Sequence, residues 1–506
     1  VSRRRLLHGA AFRDRSSTDS DLADMARRRT ARLKRLSAAG AWIGAGAVGL
    51  WAVLGVGLGV GFVNYDTVYS LVWGQQVARG ELPVYRLPIA PTPHPLTELL
   101  GVIVAPLGPN ATLAIVVGLA YVSLAALAYV LYRLGAAWFS WPVGVAAAAL
   151  IITRDPILNY GVRAYSDIPY VTLALAALLV ETRRPRAGWP VLVLLNLAGL
   201  IRPEAWLLAA AYWLYLVPHR PAGELVQLAG LAALAPALWL VSDLAITRDP
   251  FWSLSHTRAT AATLHRVTGL ANFPVNGAKA IGGVLRPDGS LAAAIGGLLS
   301  LWLLPRRAIR GMITAAVSLV AFAVVASSGL PIQQRYAFLP ACLLAIFAGA
   351  GLFGWRSLPE EHRGRRPWQA TAAVLALVAI ALAPSQISSI RSTFISGKQP
   401  LRAQQRIQGD LTALVDDHAI NLRCGPVGVP FHTPVPLLAL RLHTSPANVL
   451  AGEISHGVFV SAANPSVLKI YLLDPRDPPT TFQVPTGFRL VVENRSWRVY
   501  QRCRQS

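Results

Sequence analysis

At 506 residues, 54% hydrophobic and only 14% charged, with a mean hydropathy of +0.46, the chain has too little polar surface to cover ordinary water-soluble domains. The same figures exclude a disordered chain, a collagen and a small disulfide scaffold. A formal charge of +23 would suit nucleic acid, but the basic residues fall in short clusters between apolar runs, where cytoplasmic-loop bias accounts for them, so no nucleic-acid partner is assigned.

Residues 1–40 hold eleven Lys or Arg, including Arg3, Arg4, Arg5 and the run Arg27, Arg28, Arg29, and predict a basic cytoplasmic tail. The apolar run 41–63 is long enough to span as an uncleaved anchor, and the basic region before it is too long for a cleaved signal peptide. Further apolar segments at 110–132, 141–153, 167–181, 188–201, 204–217, 225–246, 291–304, 311–328, 336–354 and 369–384 bring the expected count to about eleven spans. Entry from the cytoplasm then puts Arg133, Arg183, Arg184, Arg186, Arg220, Arg306, Arg307, Arg310 and the cluster from Arg356 to Arg366 inside, as the positive-inside rule requires.

The opposite face receives a loop over 64–109, the segments 154–166 and 247–289, the turn at Gln333 to Arg335, and the carboxyl-terminal 120 residues. Function is expected there. Within the first loop, 67–78 and 96–107 are apolar but too short to span, and read as helices lying in the interface.

The expected organisation is therefore a basic tail over 1–40, a transmembrane domain over 41–384 and a small extracytoplasmic α/β domain over 385–506. In the last, 401–418 reads as an amphipathic helix, 427–430 and 458–461 as strands, and 488–493 with 497–501 as a hairpin turning at Asn494 and Arg495. Cys424 and Cys503 lie in this domain; an oxidising compartment permits a disulfide between them, and two free buried thiols are the alternative.

The first loop has one central carboxylate, Asp66, followed by a helical stretch to Gly80 and by Pro83, Tyr85 and the run Pro93, His94, Pro95. Asp66 reads both as the N-cap of that helix, with Gly80 its stop, and as a general base facing a cavity. Asp167 reads equally as a cap and as a substrate contact. Arg202 and Glu204 can pair across Pro203, and Asp155 and Asp249 suit turn caps. Tyr65 suits sugar stacking or an interfacial anchor, and His94 a solvated loop position or a substrate contact. Arg163, Arg202, Arg258 and Arg335 equally suit cations that end a span at headgroup level.

The first loop with Asp66, Ala78, Arg79, Gly80, Pro83 and Tyr85, the stretch Arg163 to Pro169 with Asp167, the run Gly199 to Glu204, the loop at Asp249 and Pro250, and the pair Arg335 and Tyr336 together resemble membrane glycosyltransferases of the GT-C fold. Protein mannosyltransferases and aminoarabinose transferases typify that superfamily. Cys424, Gly425, Pro426, Val427 looks like the outer domain of actinobacterial members. The resemblance implies a mostly α, polytopic bundle in a bacterial plasma membrane, using a polyprenyl-phosphate sugar as donor and a glycan, lipid or protein as acceptor. It puts Asp66 in the place of the catalytic acid, and Arg163, Arg202, Arg258 and Arg335 are candidates for the lipid-phosphate clamp. Tyr65, Asp167, Glu204, Tyr336 and His94 are candidates for substrate contacts. Many relatives carry two acids in the first loop; here Asn64 and Thr67 flank the one, so a two-carboxylate site for a divalent metal is not supplied locally; Asp167 is the candidate second carboxylate, from another loop, and no other cofactor is assigned. The competing readings are a transporter or lipid flippase, and a non-catalytic membrane scaffold.

Overall fold

The computed structural model describes residues 59–391, 398–471 and 484–503. The basic tail and most of the first apolar run, 41–63, lie outside them. The protein is a multi-pass membrane helix bundle with a small sheet near its carboxyl end.

Among the described residues, three helical segments are long and apolar enough to cross a membrane: Pro95–Trp138, Pro305–Ser327 and Gln334–Ser357. Two bent pairs, Trp141–Ile152 with Asp155–Val162 and Ala222–Ala232 with Leu234–Thr247, make five if each pair is one crossing. Other segments expected to span, among them Asp167–Arg183, Trp189–Gly199 and Glu204–Leu216, are helical but shorter. The helix Phe338–Phe353 is apolar all round and almost wholly buried, the pattern of a helix surrounded by others.

The two first-loop helices are Tyr65–Ala78 and Pro95–Val104. Asn64 caps the first through its side chain, which accepts from the Thr67 amide, so Asp66 sits inside the first turn and the N-cap reading passes to Asn64. Gly80 ends the helix at φ 76°, and the Gly80 and Glu81 amides donate to the Val77 and Gln76 carbonyls, a Schellman closure. The second helix continues through a 3-10 turn, Ala105–Leu107, into the long helix Gly108–Trp138, so the stretch read as interfacial is joined to the crossing that follows it. The two first-loop helices cross where Gly74 meets Gly101: a Cβ on Gly74 would lie 2.4 Å from the Glu98 carbonyl oxygen.

The sheet has five strands: β1 (Val427–Val429), β2 (Val449–Ala451), β3 (Gly457–Ala462), β4 (Arg489–Glu493) and β5 (Trp497–Arg502). Their order is β2-β1-β3-β5-β4. β1 pairs in parallel with β2 and β3, whereas β5 runs antiparallel to β3 and β4. Every residue of β3 is buried, which suits its apolar run between two covered faces. Asn494 turns the β4–β5 hairpin by accepting from the Ser496 and Trp497 amides. The helix Lys398–Asp416 buries Ile407, Leu411 and Leu414 on one face, and the Ile407 carbonyl accepts from the Trp497 indole of β5. Cys424, just before β1, and Cys503, just after β5, are joined by a disulfide.

One hydrophobic core runs from the sheet into the bundle. It includes Val427, Val458 and Trp497 together with Tyr65, Val68, Tyr69 and Trp73 of the first-loop helix. The short helix Val435–Arg441, which the sequence reading did not foresee, packs on Tyr65–Ala78, and the Gln75 amide meets the His443 ring at 3.0 Å. The sheet is thereby fixed against the helix that carries Asp66.

Candidate functional site

Backbone pairing brings the first loop and the loop before Asp167 together. The Asn64 amide and its side-chain nitrogen both donate to the Arg163 carbonyl, at 2.9 and 3.0 Å, and the Thr67 hydroxyl donates to the Ala164 carbonyl at 2.8 Å. A third loop joins them through the Leu96 amide, which donates to the Leu200 carbonyl at 3.2 Å. Three segments distant in sequence thus converge on Asp66.

The Arg335 guanidinium donates to the Asp66 carboxylate at 2.8 Å. The other Asp66 oxygen, Oδ1, accepts no hydrogen bond from any described residue. Beside this pair is a second: Arg202 donates to Asp167 and, through Nε and Nη2, to Glu204 at 3.1 and 3.0 Å. Both cations lie against the Tyr336 ring, whose centroid is 4.1 Å from the Arg202 guanidinium carbon and 5.8 Å from that of Arg335.

Exposure separates the two arrangements. Arg202, Asp167 and Glu204 retain 4%, 1% and 5% of their side-chain surface, whereas Arg335 and Asp66 retain 20% and 22%. The Arg202 group is sealed, with two acids on one cation, and its geometry is that of a structural clasp. The Asp66–Arg335 pair stays partly exposed.

His94 precedes the helix Pro95–Val104 and is half-buried; its Nδ1 is buried and makes no hydrogen bond. Burial pushes its imidazole down to about 4, the Arg202 charge pushes the same way, and Asp66 opposes. His94 is therefore neutral at pH 7 and inside the cluster's field, not a solvated loop residue. Arg163 lies with its guanidinium carbon 5.9 Å from the Phe62 ring and its Nε buried without a hydrogen bond. Burial raises the Tyr165 phenol, Asp66 adds to that push, and Arg163 and Arg335 act against it, which sets these groups around one space. Tyr65 donates to the Ile89 carbonyl at 3.1 Å.

Arg258 departs from the expected clamp. It is exposed and donates to the Ser328 carbonyl, alongside Gly329, and no described contact joins it to Asp66 or Arg335. Arg202 departs as well, because its donors are taken up by Asp167 and Glu204. Tyr160, its ring tilted against Tyr165 with centroids 4.5 Å apart, and Tyr170, its ring 5.9 Å from the Arg202 guanidinium carbon, belong to the cluster but carry no signal in the sequence. Among the described residues, no three His, Cys, Asp or Glu side chains gather as a metal site, and Asp66 and Asp167 each face a guanidinium.

No family model matches the sequence, and no curated protein matches it. Among solved structures, ArnT from Cupriavidus metallidurans bound to undecaprenyl phosphate superposes with a TM-score of 0.51 over 92% of this chain and 98% of that one, at 13% identity. The two share a fold. The same ArnT in its apo state gives a TM-score of 0.45 at 14% identity, with the same coverage. The agreement is one of overall fold, over nearly the whole of both chains.

Proposed function

We propose that the protein is an inverting membrane glycosyltransferase that moves a sugar from a polyprenyl-phosphate donor to a cell-envelope acceptor. The observation that carries this reading is the half-open Asp66–Arg335 pair, with one carboxylate oxygen unoccupied, set beside a sealed ionic clasp. The fold it sits in is shared with a protein whose structure holds undecaprenyl phosphate.

In this reading Asp66 is the base. An acceptor hydroxyl attacks the anomeric carbon, its proton passes to Asp66 Oδ1, and the bond from that carbon to the phosphate oxygen breaks with its electron pair leaving on the lipid phosphate. The leaving group needs a cation more than an acid. Arg335 meets that need best, with Arg163 second, because each has donor atoms without a protein partner: both Nε atoms are buried and unbonded. A donor phosphate that draws Arg335 from Asp66 leaves the carboxylate free to take the proton. Arg202, with Asp167 and Glu204, holds Tyr336 and the surrounding loops in place, while Tyr65 and His94 flank the reacting groups.

The topology belongs to the same proposal: about eleven crossings, a cytoplasmic amino terminus, and the Asp66 site and the sheet outside a bacterial plasma membrane. Reconstituted protein should release polyprenyl phosphate and form a glycosylated product from one member of a panel carrying mannose, arabinofuranose or aminoarabinose. A panel with acceptor extracts that yields neither product nor free lipid phosphate would contradict the reading.

A further inference from the structure

The crossings Pro305–Ser327 and Gln334–Ser357 are joined by a short turn just before Arg335, so their other ends lie away from Asp66, about 35 Å off along the second helix. Those ends are basic. Arg306, Arg307 and Arg310 are exposed on the first two turns of one helix. Arg356, Arg363, Arg365 and Arg366 surround the loop that follows the other, where the acids are Glu360 and Glu361. The two groups form one cluster, because Leu303, just before the first helix, packs on Gly364: a Cβ there would lie 2.8 Å from the Leu303 side chain.

A merely solvated basic loop would be loose, whereas this one is held. The Trp355 ring carries the Arg356 and Arg365 guanidinium carbons 5.7 and 5.6 Å from its centroid. The Leu358, His362 and Arg365 amides donate to the Trp355, Pro359 and His362 carbonyls, and the Gly364 amide donates to His362 Nδ1 at 3.0 Å. Trp368, fully buried, wedges against Gly354 at the start of the loop. Arg365 approaches Glu360 at 3.6 Å, but no described carboxylate pairs with Arg306, Arg307, Arg310, Arg356, Arg363 or Arg366. Trp302, four residues before Arg306, is 75% exposed, and Ile309 is exposed among the arginines. Exposed tryptophan beside unpaired arginine is the composition of a surface at headgroup level.

We propose that this end of the bundle binds the headgroup phosphate of an anionic phospholipid, with Arg356 and Arg365 as its fixed donors and Arg306, Arg307 and Arg310 as a second cationic wall. A guanidinium held on an aromatic ring keeps its planar donor edge free, and that edge matches two phosphate oxygens. An excess of positive charge favours a headgroup with net negative charge over a zwitterionic one, whose ammonium it repels. The site is separate from the Asp66 cluster and stands whichever reaction that cluster performs.

The test releases the full chain from nanodiscs of mixed phosphatidylglycerol and phosphatidylcholine and counts the retained lipids by native mass spectrometry. Wild type should keep phosphatidylglycerol in preference to phosphatidylcholine, and excess inorganic phosphate should not displace it. The pair Arg356→Gln, Arg365→Gln should weaken that retention at least about ten-fold. Arg306→Gln, Arg307→Gln, Arg310→Gln, all on an exposed helix surface, should do the same and reads the site independently of the loop's folding. Arg489→Gln, an exposed charge on β4, is the control for net charge and should leave retention unchanged. Equal retention of the two lipids by wild type, or losses in both cluster variants no greater than in Arg489→Gln, overturns the site. Displacement by inorganic phosphate would make it a site for a free anion and overturns the lipid assignment.

Discussion

Asp66 and Arg335, separated by 269 positions in sequence, meet at 2.8 Å, and theirs is the ionic contact of the central cluster that remains partly open. An isolated buried carboxylate would be costly, and the guanidinium offsets much of that cost. In the proposed reaction the same guanidinium also receives the donor phosphate. Arg335→Lys should therefore hurt more than a charge-conserving change normally does, because an ammonium lacks the planar two-pronged donor set. We expect kcat/KM for the donor to fall at least about ten-fold in Arg335→Lys with the melting temperature little changed. An unchanged donor kcat/KM would take Arg335 out of the phosphate role.

Arg202 should behave in the opposite way. It is 4% exposed and holds both Asp167 and Glu204, so Arg202→Met leaves two acids buried without a cation. Breaking a buried pair from one side costs about 3–5 kcal/mol. The expected result is a large drop in melting temperature in detergent, partly restored by adding Asp167→Asn and Glu204→Gln. A stable Arg202→Met protein with weakened donor binding would instead return Arg202 to the phosphate clamp.

The charged residues of the site were legible because a bundle this apolar leaves few reasons to keep an acid or an Arg at a span end. Asp66, Asp167, Arg202, Glu204, Arg335 and Tyr336 do come together. Their pairing was not legible, since it depends on how the loops at Arg163 and Leu200 bond to the first loop. Arg258 carried the same signal as Arg335, yet its helix, Trp252–Thr263, directs it to the Ser328 carbonyl. Tyr160 and Tyr170 were hidden among the apolar residues of their helices. In the sheet, β3 and the β4–β5 hairpin were visible from their apolar runs and from Asn494, whereas β2 and the helix Val435–Arg441 were too short to give a periodic signal.

The crossing of the first-loop helices depends on Gly74. A methyl group there would press on the Glu98 carbonyl, the Val102 amide and the Gly101 backbone, all within 2.7 Å, and backbone cannot move aside as a flexible side chain can. Gly74→Ala should destabilise the protein by about 1–3 kcal/mol or more. Gly118→Ala, where a Cβ meets nothing within 4 Å, is the control and should leave the melting temperature close to that of wild type. Matching melting temperatures for the two variants would refute the tight crossing.

Stability should also fall with acid in a way traceable to two histidines. His94 and His432 are each held down to about 4, from an ordinary value of 6.5. Their folded-state values lie below their unfolded ones, so folding favours the neutral rings. That contribution is complete above about pH 6.5 and is lost as pH falls through 4. Melting temperatures of wild type should drop across this window, and the double variant His94→Gln, His432→Gln should show a shallower slope. Superimposable pH profiles would contradict the burial of these rings.

The disulfide closes a sequence separation of 79 residues, which corresponds on the chain-entropy model to about 4.5 kcal/mol at most. The pair Cys424→Ser and Cys503→Ser should lower the unfolding temperature of the sheet. Because the sheet and the Asp66 helix share a core, activity should fall along with it. Full activity and unchanged melting in that variant would show that the sheet is held by its packing alone.

The central claim is that Asp66 takes a proton during sugar transfer. The most direct measurement is the single-turnover rate of transfer from the active polyprenyl-phosphate sugar by wild type and Asp66→Asn, in preparations with matching melting temperatures. Asparagine keeps the size and can still accept from Arg335 but cannot serve as a base, so the rate should fall by about 100-fold to 10,000-fold with lipid-phosphate binding retained. A folded Asp66→Asn protein that transfers at the wild-type rate would contradict the account.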